Sequence, residues 1–214
     1  LEGERRLATV ILADVTGSTD LLEQIGTEAW VAIMNRIFQI LEAEIYRFGG
    51  EVDQFRGDGL VAFFGATSAH EDDPERAVRA ALDMQEAAQA YAREIEDRHD
   101  ISFDVRVGIH TGMSVLGMVG DSVKAEYTAM GDTANTAARL QSAADPGTIL
   151  VSEDTYRLVR DLFEFEARGP LDMKGKAEPV EAYRVKGVAA EPRKVRGLEG
   201  LSSSLVGRDR ELDL

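Results

Sequence analysis

Arg5 to Thr19, R-R-L-A-T-V-I-L-A-D-V-T-G-S-T, is the stretch from which the fold can be read. Arg5 to Ala13 is a near-continuous β-prone run, the pattern of a central strand buried on both faces. It ends on a carboxylate, Asp14, and passes through the small segment Val15-Thr16-Gly17-Ser18-Thr19. A helical pattern then spans Leu21 to Phe48, with Ile33, Ile37, Ile40, Leu41 and Ile45 on it and an expected break near Gly26. A strand that ends in a carboxylate, a glycine turn and a helix N-terminus together suit a metal-bound polyphosphate, because the turn and helix N–H groups point outward. Alone, D-x-x-G-S-T reads equally well as a capped strand-to-helix turn.

Outward from this stretch, Gly49-Gly50 closes the helix with a residue able to take positive φ. Glu51 to Arg56 and Leu60 to Phe64 follow as β-type runs joined through Gly57-Asp58-Gly59, a tight hairpin. If that hairpin packs antiparallel beside the first strand, Asp58 arrives next to Asp14. Two carboxylates on adjacent strands make a hard-oxygen site suited to Mg²⁺ or Mn²⁺. His70 to Pro74 opens the clearest helix, with Asp73 expected at the cap, Pro74 at the first position, and Ala77, Val78, Ala81, Leu82, Ala88 and Ile95 on one stripe. His70 reads as part of a capping surface loop. Ile101 to Thr111 is a further strand carrying Arg106 on its polar alternation, and a second run, Met113 to Val119, follows Gly112. His110 reads as a hydrogen-bonded structural histidine; three histidines and no cysteine assemble no zinc site.

Tyr127 to Leu140, Y-T-A-M-G-D-T-A-N-T-A-A-R-L, places Asn135 and Arg139 one helical turn apart on a single face, with Asp132 or Thr133 as the cap and Ala134, Ala137, Ala138 and Leu140 around them. An amide and a guanidinium held side by side suit a developing phosphoryl charge. By themselves they fit better a solvated polar stripe on a surface helix. Thr148 to Val151 is a short strand, Ser152-Glu153-Asp154 caps a helix to about Arg160, and Phe163 to Ala167 and Val180 to Val185 are two late strands flanking the basic loop Leu171 to Lys176, which carries Lys174.

The chain has 214 residues with a net charge of −15. One well-buried domain with some chain to spare is expected. The acidity excludes a general electrostatic footprint for nucleic acid and requires that a phosphate ligand bring metal ions or meet a local basic cluster. Absence of cysteine excludes disulfides, thiolate metal sites and a cysteine nucleophile, and fits a reducing cytoplasm. No run of about 18 apolar residues is present to span a bilayer. Residues 188–204 read as linker. Residues 205–214, with Val206-Gly207-Arg208-Asp209, resemble the start of an AAA-type or STAND-type ATPase domain, so a parent chain continuing past this point is expected.

The order strand, helix, hairpin, helix, strand, helix and late strand pair is that of an α+β, ferredoxin-like sandwich with an elaborated C-terminal part. Residues 6–186 resemble the catalytic domain of a class III nucleotidyl cyclase, which sets the expected catalytic domain at residues 1–187. The resemblance is carried by A-T-V-I-L-A-D-V-T-G-S-T, G-G-E-V-D-Q-F-R-G-D-G, R-V-G-I-H-T-G, Y-T-A-M-G-D-T-A-N-T-A-A-R and M-K-G-K, five motifs in family order. It implies that Asp14 and Asp58, with the Val15 carbonyl, hold two divalent metal ions, Mg²⁺ or Mn²⁺; that N–H groups of Gly17, Ser18 and Thr19 cradle phosphates; and that Arg106 and Lys174 meet the polyphosphate. It further implies that Asn135 orients the ribose and Arg139 stabilises charge on the α-phosphoryl group, both acting across a symmetric homodimer on the partner's metal carboxylates. The base-reading positions are Gln54, where the adenine-specific members carry lysine and the guanine-specific ones glutamate, and Thr128, as in the subgroup resembling bicarbonate-responsive soluble adenylyl cyclases. A glutamine amide can serve adenine or, flipped, guanine. The implied reaction is ATP to 3′,5′-cyclic AMP and pyrophosphate in the cytoplasm; the alternatives are a cyclase of relaxed purine choice, and a cyclase-like nucleotide-binding or dimerisation module with little turnover.

Overall fold

A computed structural model of the chain describes residues 4–116, 118–119, 126–127, 132–171 and 179–190. Strand β1 (Glu4–Thr16) is followed by helices α1 (Ser18–Ile25) and α2 (Thr27–Arg47), strands β2 (Glu51–Arg56) and β3 (Gly59–Phe64), helix α3 (Asp73–His99) and strand β4 (Asp104–Leu116). Short strands β5 (Met118–Val119) and β6 (Glu126–Tyr127) pair with each other. Helix α4 (Asp132–Ala143), strand β7 (Ile149–Ser152), helix α5 (Glu153–Val159) and strands β8 (Phe163–Leu171) and β9 (Val180–Val188) complete the order. The main sheet runs β2-β3-β1-β4-β7-β9-β8. Its first four strands, with α2 and α3, form the expected βαββαβ ferredoxin-like unit, and β7, β9 and β8 extend the sheet beyond β4.

Alternation along β1 decides which side chain meets which layer, because successive residues point to opposite faces. Ile11, Ala13 and Val15 face the α2–α3 layer. They are buried with Ile37, Leu41 and Ile45 of α2, Ala77, Ala81 and Met84 of α3, and Val105, Val107 and Ile109 of β4. Each fully buried Ile or Leu there contributes about 1.5–3 kcal/mol. Val10 faces the other way, joining Val61, Phe63 and Ala137 of α4; Leu140 of α4 packs on Leu150 and Ala182. The helix α4 thus crosses from β4 to the parallel strand β7 on the face opposite α2 and α3. It lies close because β4 has a glycine beneath it: a Cβ on Gly108 would sit 2.2 Å from Ala137 O and 2.2 Å from Gln141 N.

Several boundaries differ from the sequence reading. The first helix begins at Ser18 rather than Leu21 and breaks at Gly26, φ 79°, as expected. The third helix is capped one residue earlier, with Asp72 at the cap and Asp73 inside the first turn. Asp73 is buried because it accepts from the His70 backbone N–H at 2.7 Å and pairs with Arg76, whose guanidinium also donates to Phe48 O at 2.9 Å. Gly112 does not interrupt β4; it stays in register opposite Ala8. His110 is buried with Nδ1 2.7 Å from Ser152 Oγ, the structural role expected of it. Ser152 caps α5 through Thr155 N–H. β9 runs to Val188, and Ala189 N–H still donates to Leu162 O at 3.0 Å, so the sheet reaches one residue past the expected end of the domain. Residues 205–214, expected to begin an ATPase-like domain, and the expected linker beyond residue 190 lie outside the described residues. No helix among the described residues is long and apolar enough to cross a membrane.

Candidate active site

The hairpin brings its turn to the end of β1. β1 and β3 are antiparallel with Asp14 opposite Gly59, and Val15 N–H donates to Asp58 O at 3.1 Å. The two-residue turn has Gly57 at φ 61°, the glycine-first pattern of a II′ hairpin, so Asp58 takes the second turn position. On the other side of β1, β4 places Arg106 opposite Asp14. Arg106 Nε and Nη2 donate to Asp14 Oδ2 at 3.1 and 2.8 Å. The chain then turns at Gly17, φ 80°, a conformation that suits glycine, and enters α1. Ser18 is buried, and its hydroxyl donates to Asp58 Oδ2 at 2.5 Å. Trp30 Nε1 donates to Ser18 O at 2.9 Å, fixing the start of α1 against α2.

An open cleft of about 430 Å³ lies over this junction, lined by the continuous segment Asp14 to Asp20 with Asp58, Arg106 and Pro146. Leu21 N–H is the first of α1 to find its carbonyl, on Gly17. The N–H groups of Ser18 and Thr19 precede it and have no carbonyl within the helix, which leaves them to an anion.

Whether the site fits divalent cations is tested by its two carboxyls. Asp14 and Asp58 stand side by side at the cleft, close enough for each to act on the other's ionisation. Burial pushes Asp14 above the usual aspartate range; Arg106 opposes this and the neighbouring Asp58 adds to it. Asp58 is also partly desolvated, which alone would raise it, but the Ser18 hydroxyl and Asp14 bring it below its ordinary value. A divalent cation beside the two carboxylates would offset the desolvation that both of them carry. The donors are all hard oxygen, the set Mg²⁺ and Mn²⁺ prefer. Among the described residues no group of three or more Asp, Glu, His or Cys gathers, so cations held here draw further ligands from water, substrate phosphates and a backbone carbonyl such as that of Val15, which borders the cleft.

Asn135 and Arg139 do not line this cleft. The sheet side of α4 carries Thr133, Thr136, Ala137, Leu140 and Gln141, all buried, whereas Asn135 is exposed and Arg139 half-buried. Ala137 and Leu140, expected to surround the pair, belong instead to the buried stripe. Gln54 lies on β2, and its Nε2 donates to Asp53 Oδ2 at 2.9 Å. Thr128 and Lys174 lie outside the described residues. One contact is absent from the sequence reading: Gln141 Nε2 donates to Asp14 Oδ2 at 3.2 Å. An amide at a core position of an amphipathic helix is the signal that marks it.

A seven-stranded sheet layered with helices, with two carboxylates at a strand end beside a helix N-terminus, is the α+β sandwich of the class III cyclase homology domain. The chain belongs to the adenylate and guanylate cyclase catalytic domain family, whose model matches residues 4–187. It is 32% identical over 186 residues to Adenylate cyclase 1 of Rhizobium meliloti (strain 1021), covering 86% of this chain and 28% of that protein. It is 30% identical over 193 residues to an adenylate cyclase of Mycobacterium bovis, covering 90% of this chain and 42% of the relative. The chain therefore spans less than half the length of these curated relatives. Among solved structures, the adenylyl cyclase CyaB from P. aeruginosa matches with a TM-score of 0.83 at 30% identity, over 89% of this chain and 99% of that one. The guanylyl cyclase Cya2 matches with the same TM-score at 29% identity, over 89% of this chain and 96% of that one.

Proposed function

We propose that this domain is an adenylyl cyclase, converting ATP to 3′,5′-cyclic AMP and pyrophosphate at sites shared between two copies of the chain. The observation that carries this reading is the convergence of Asp14 and Asp58 on one cleft beside the N-terminus of α1, set by the pairing of Asp14 with Gly59. Divalent cations bound there would supply activation of the ribose 3′-OH and neutralisation of the triphosphate. The chain's own groups do the rest. Asp14 and Asp58 hold the cations, with the Val15 carbonyl assisting, and N–H groups from Gly17 to Thr19 receive the phosphates. Arg106, now paired with Asp14, and Lys174 face the polyphosphate leaving group. Asn135 orients the ribose and Arg139 meets charge developing on the α-phosphoryl group, both from the second copy. The 3′-hydroxyl gives its proton to solvent water, its oxygen attacks the α-phosphorus in line, the bond to the oxygen bridging the α- and β-phosphates breaks, and pyrophosphate departs with that electron pair.

A second reading, relaxed choice between ATP and GTP, is favoured by Gln54. With one N–H given to Asp53, its amide keeps another N–H and a carbonyl, a donor–acceptor pair able to match adenine N1 and N6 or guanine O6 and N1–H. The relatives leave the base open, since an adenylyl and a guanylyl cyclase match with equal TM-scores. ATP is favoured because the glutamate of guanine-specific members is absent. The deciding assay is product analysis with ATP and with GTP, each in Mn²⁺ and in Mg²⁺. Cyclic AMP in excess of cyclic GMP is expected; no cyclic nucleotide from either substrate sinks the enzyme reading in favour of a regulatory module. Turnover retained by Asp58→Ala sinks the metal assignment.

A further inference from the structure

Asp14 has two carboxylate oxygens with different surroundings. Oδ2 receives Arg106 Nε, Arg106 Nη2 and Gln141 Nε2. Oδ1 faces the hairpin, 3.4 Å from where a Cβ on Gly59 would stand, next to Asp58. Three N–H donors on one oxygen hold the carboxylate in a single rotamer and leave the other oxygen toward the second carboxylate. Gln141 reaches Asp14 because α4 is seated on Gly108, two residues along β4 from Arg106, with Gln141 N among the atoms nearest to that glycine. The residue is 8% exposed, so its amide has little recourse to water. Its neutrality is chemically apt: a lysine or arginine at the same point would add positive charge to a site meant for cations, whereas an amide fixes the oxygen without competing.

We propose that Gln141 is a positioning residue for the metal-binding carboxylate, locking Asp14 so that Oδ1 is presented beside Asp58 for a divalent cation. This rests on the metal assignment of Asp14 and Asp58 made above. It also gives α4 two roles: the outward face carries Asn135 and Arg139, and the inward face orients Asp14 of its own chain.

The test is Mn²⁺ binding to the intact domain without nucleotide, read from the electron paramagnetic resonance signal of free Mn²⁺, in wild type, Gln141→Met and Asp14→Asn. Gln141→Met keeps the length and removes the donor. Its Mn²⁺ dissociation constant is expected to rise about tenfold, the lower end for losing a hydrogen-bond partner of a metal ligand. The Mn²⁺ concentration giving half-maximal turnover should rise in parallel, by more than kcat at saturating Mn²⁺ falls; a merely structural role would lower the folded fraction without moving either metal constant. Wild-type Mn²⁺ binding by Gln141→Met, with binding lost in Asp14→Asn, overturns the role of Gln141 and leaves the metal site standing. Wild-type binding by Asp14→Asn overturns both. Should Gln141→Met fail to fold, Gln141→Ala, which favours the helix and leaves only space, carries the same expectation.

Discussion

Asp104 shows at the scale of one residue how the sheet's position sets a titration. It opens β4 opposite Thr16, whose hydroxyl donates to Asp104 O at 3.1 Å, and burial of its side chain raises its carboxyl above the usual aspartate range. Folding therefore favours the protonated acid. The stability this contributes is fully present below the unfolded value, about 3.9, and is lost as pH rises through the raised folded value. At neutral pH the charged form carries a cost. Asp104→Asn is expected to raise the melting temperature at pH 7, with the gain shrinking as pH falls below about 4. Equal effects at both pH values would show that burial is not the cause. Asp14 and Asp58 were joined in the sequence only on the condition that the Gly57-Asp58-Gly59 hairpin packs antiparallel beside the first strand, a condition the pairing of Asp14 with Gly59 meets. Gln141 was not, because its contact with Asp14 spans 127 positions and depends on how closely a helix settles on a sheet.

The elements were legible where periodicity is long and unbroken, as in α2 and α3, and less so at their ends. α1 starts three residues early because Ser18 turns inward to Asp58 and Trp30 secures its carbonyl, both tertiary contacts. The outward orientation of Asn135 and Arg139 was legible as a shared face, but which face meets the sheet follows from Gly108. That glycine carries the element-scale prediction. A methyl there would strike Ala137 O and Gln141 N, backbone atoms that cannot rotate away, so α4 must lift from β4. Gly108→Ala is expected to cost about 1–3 kcal/mol or more of stability. Gly187→Ala in β9, where an added Cβ meets nothing within 4 Å, serves as control and should stay within about 0.5 kcal/mol of wild type. Urea denaturation of the three proteins measures both; matching midpoints for the two variants would contradict the close seating of α4.

For the whole molecule, the distribution of groups matters more than their inventory. The cleft over Asp14, Asp58 and Arg106 is lined without Asn135 or Arg139, which stand on the outer side of α4. Under the proposed reaction each chain would supply two half-sites, the cleft and the outer side of α4, and a second copy would be needed to close each. In the proposed two-fold dimer the carboxylates of one chain would meet the amide and guanidinium of the other, twice. Asp14→Ala and Arg139→Ala chains should each be inactive alone, since every site in either homodimer lacks one essential group. In a mixed dimer one site loses both groups, while the other combines intact carboxylates from the Arg139→Ala chain with the intact Asn135 and Arg139 of the Asp14→Ala chain. Random exchange at equal concentrations makes half the dimers mixed, each with one live site of two, so activity should recover to about a quarter of wild type. Native mass spectrometry of differently tagged chains measures the mixed fraction beside the turnover assay. Mixed dimers that form and remain inactive would exclude sharing of the site between copies, and with it the roles given to Asn135 and Arg139.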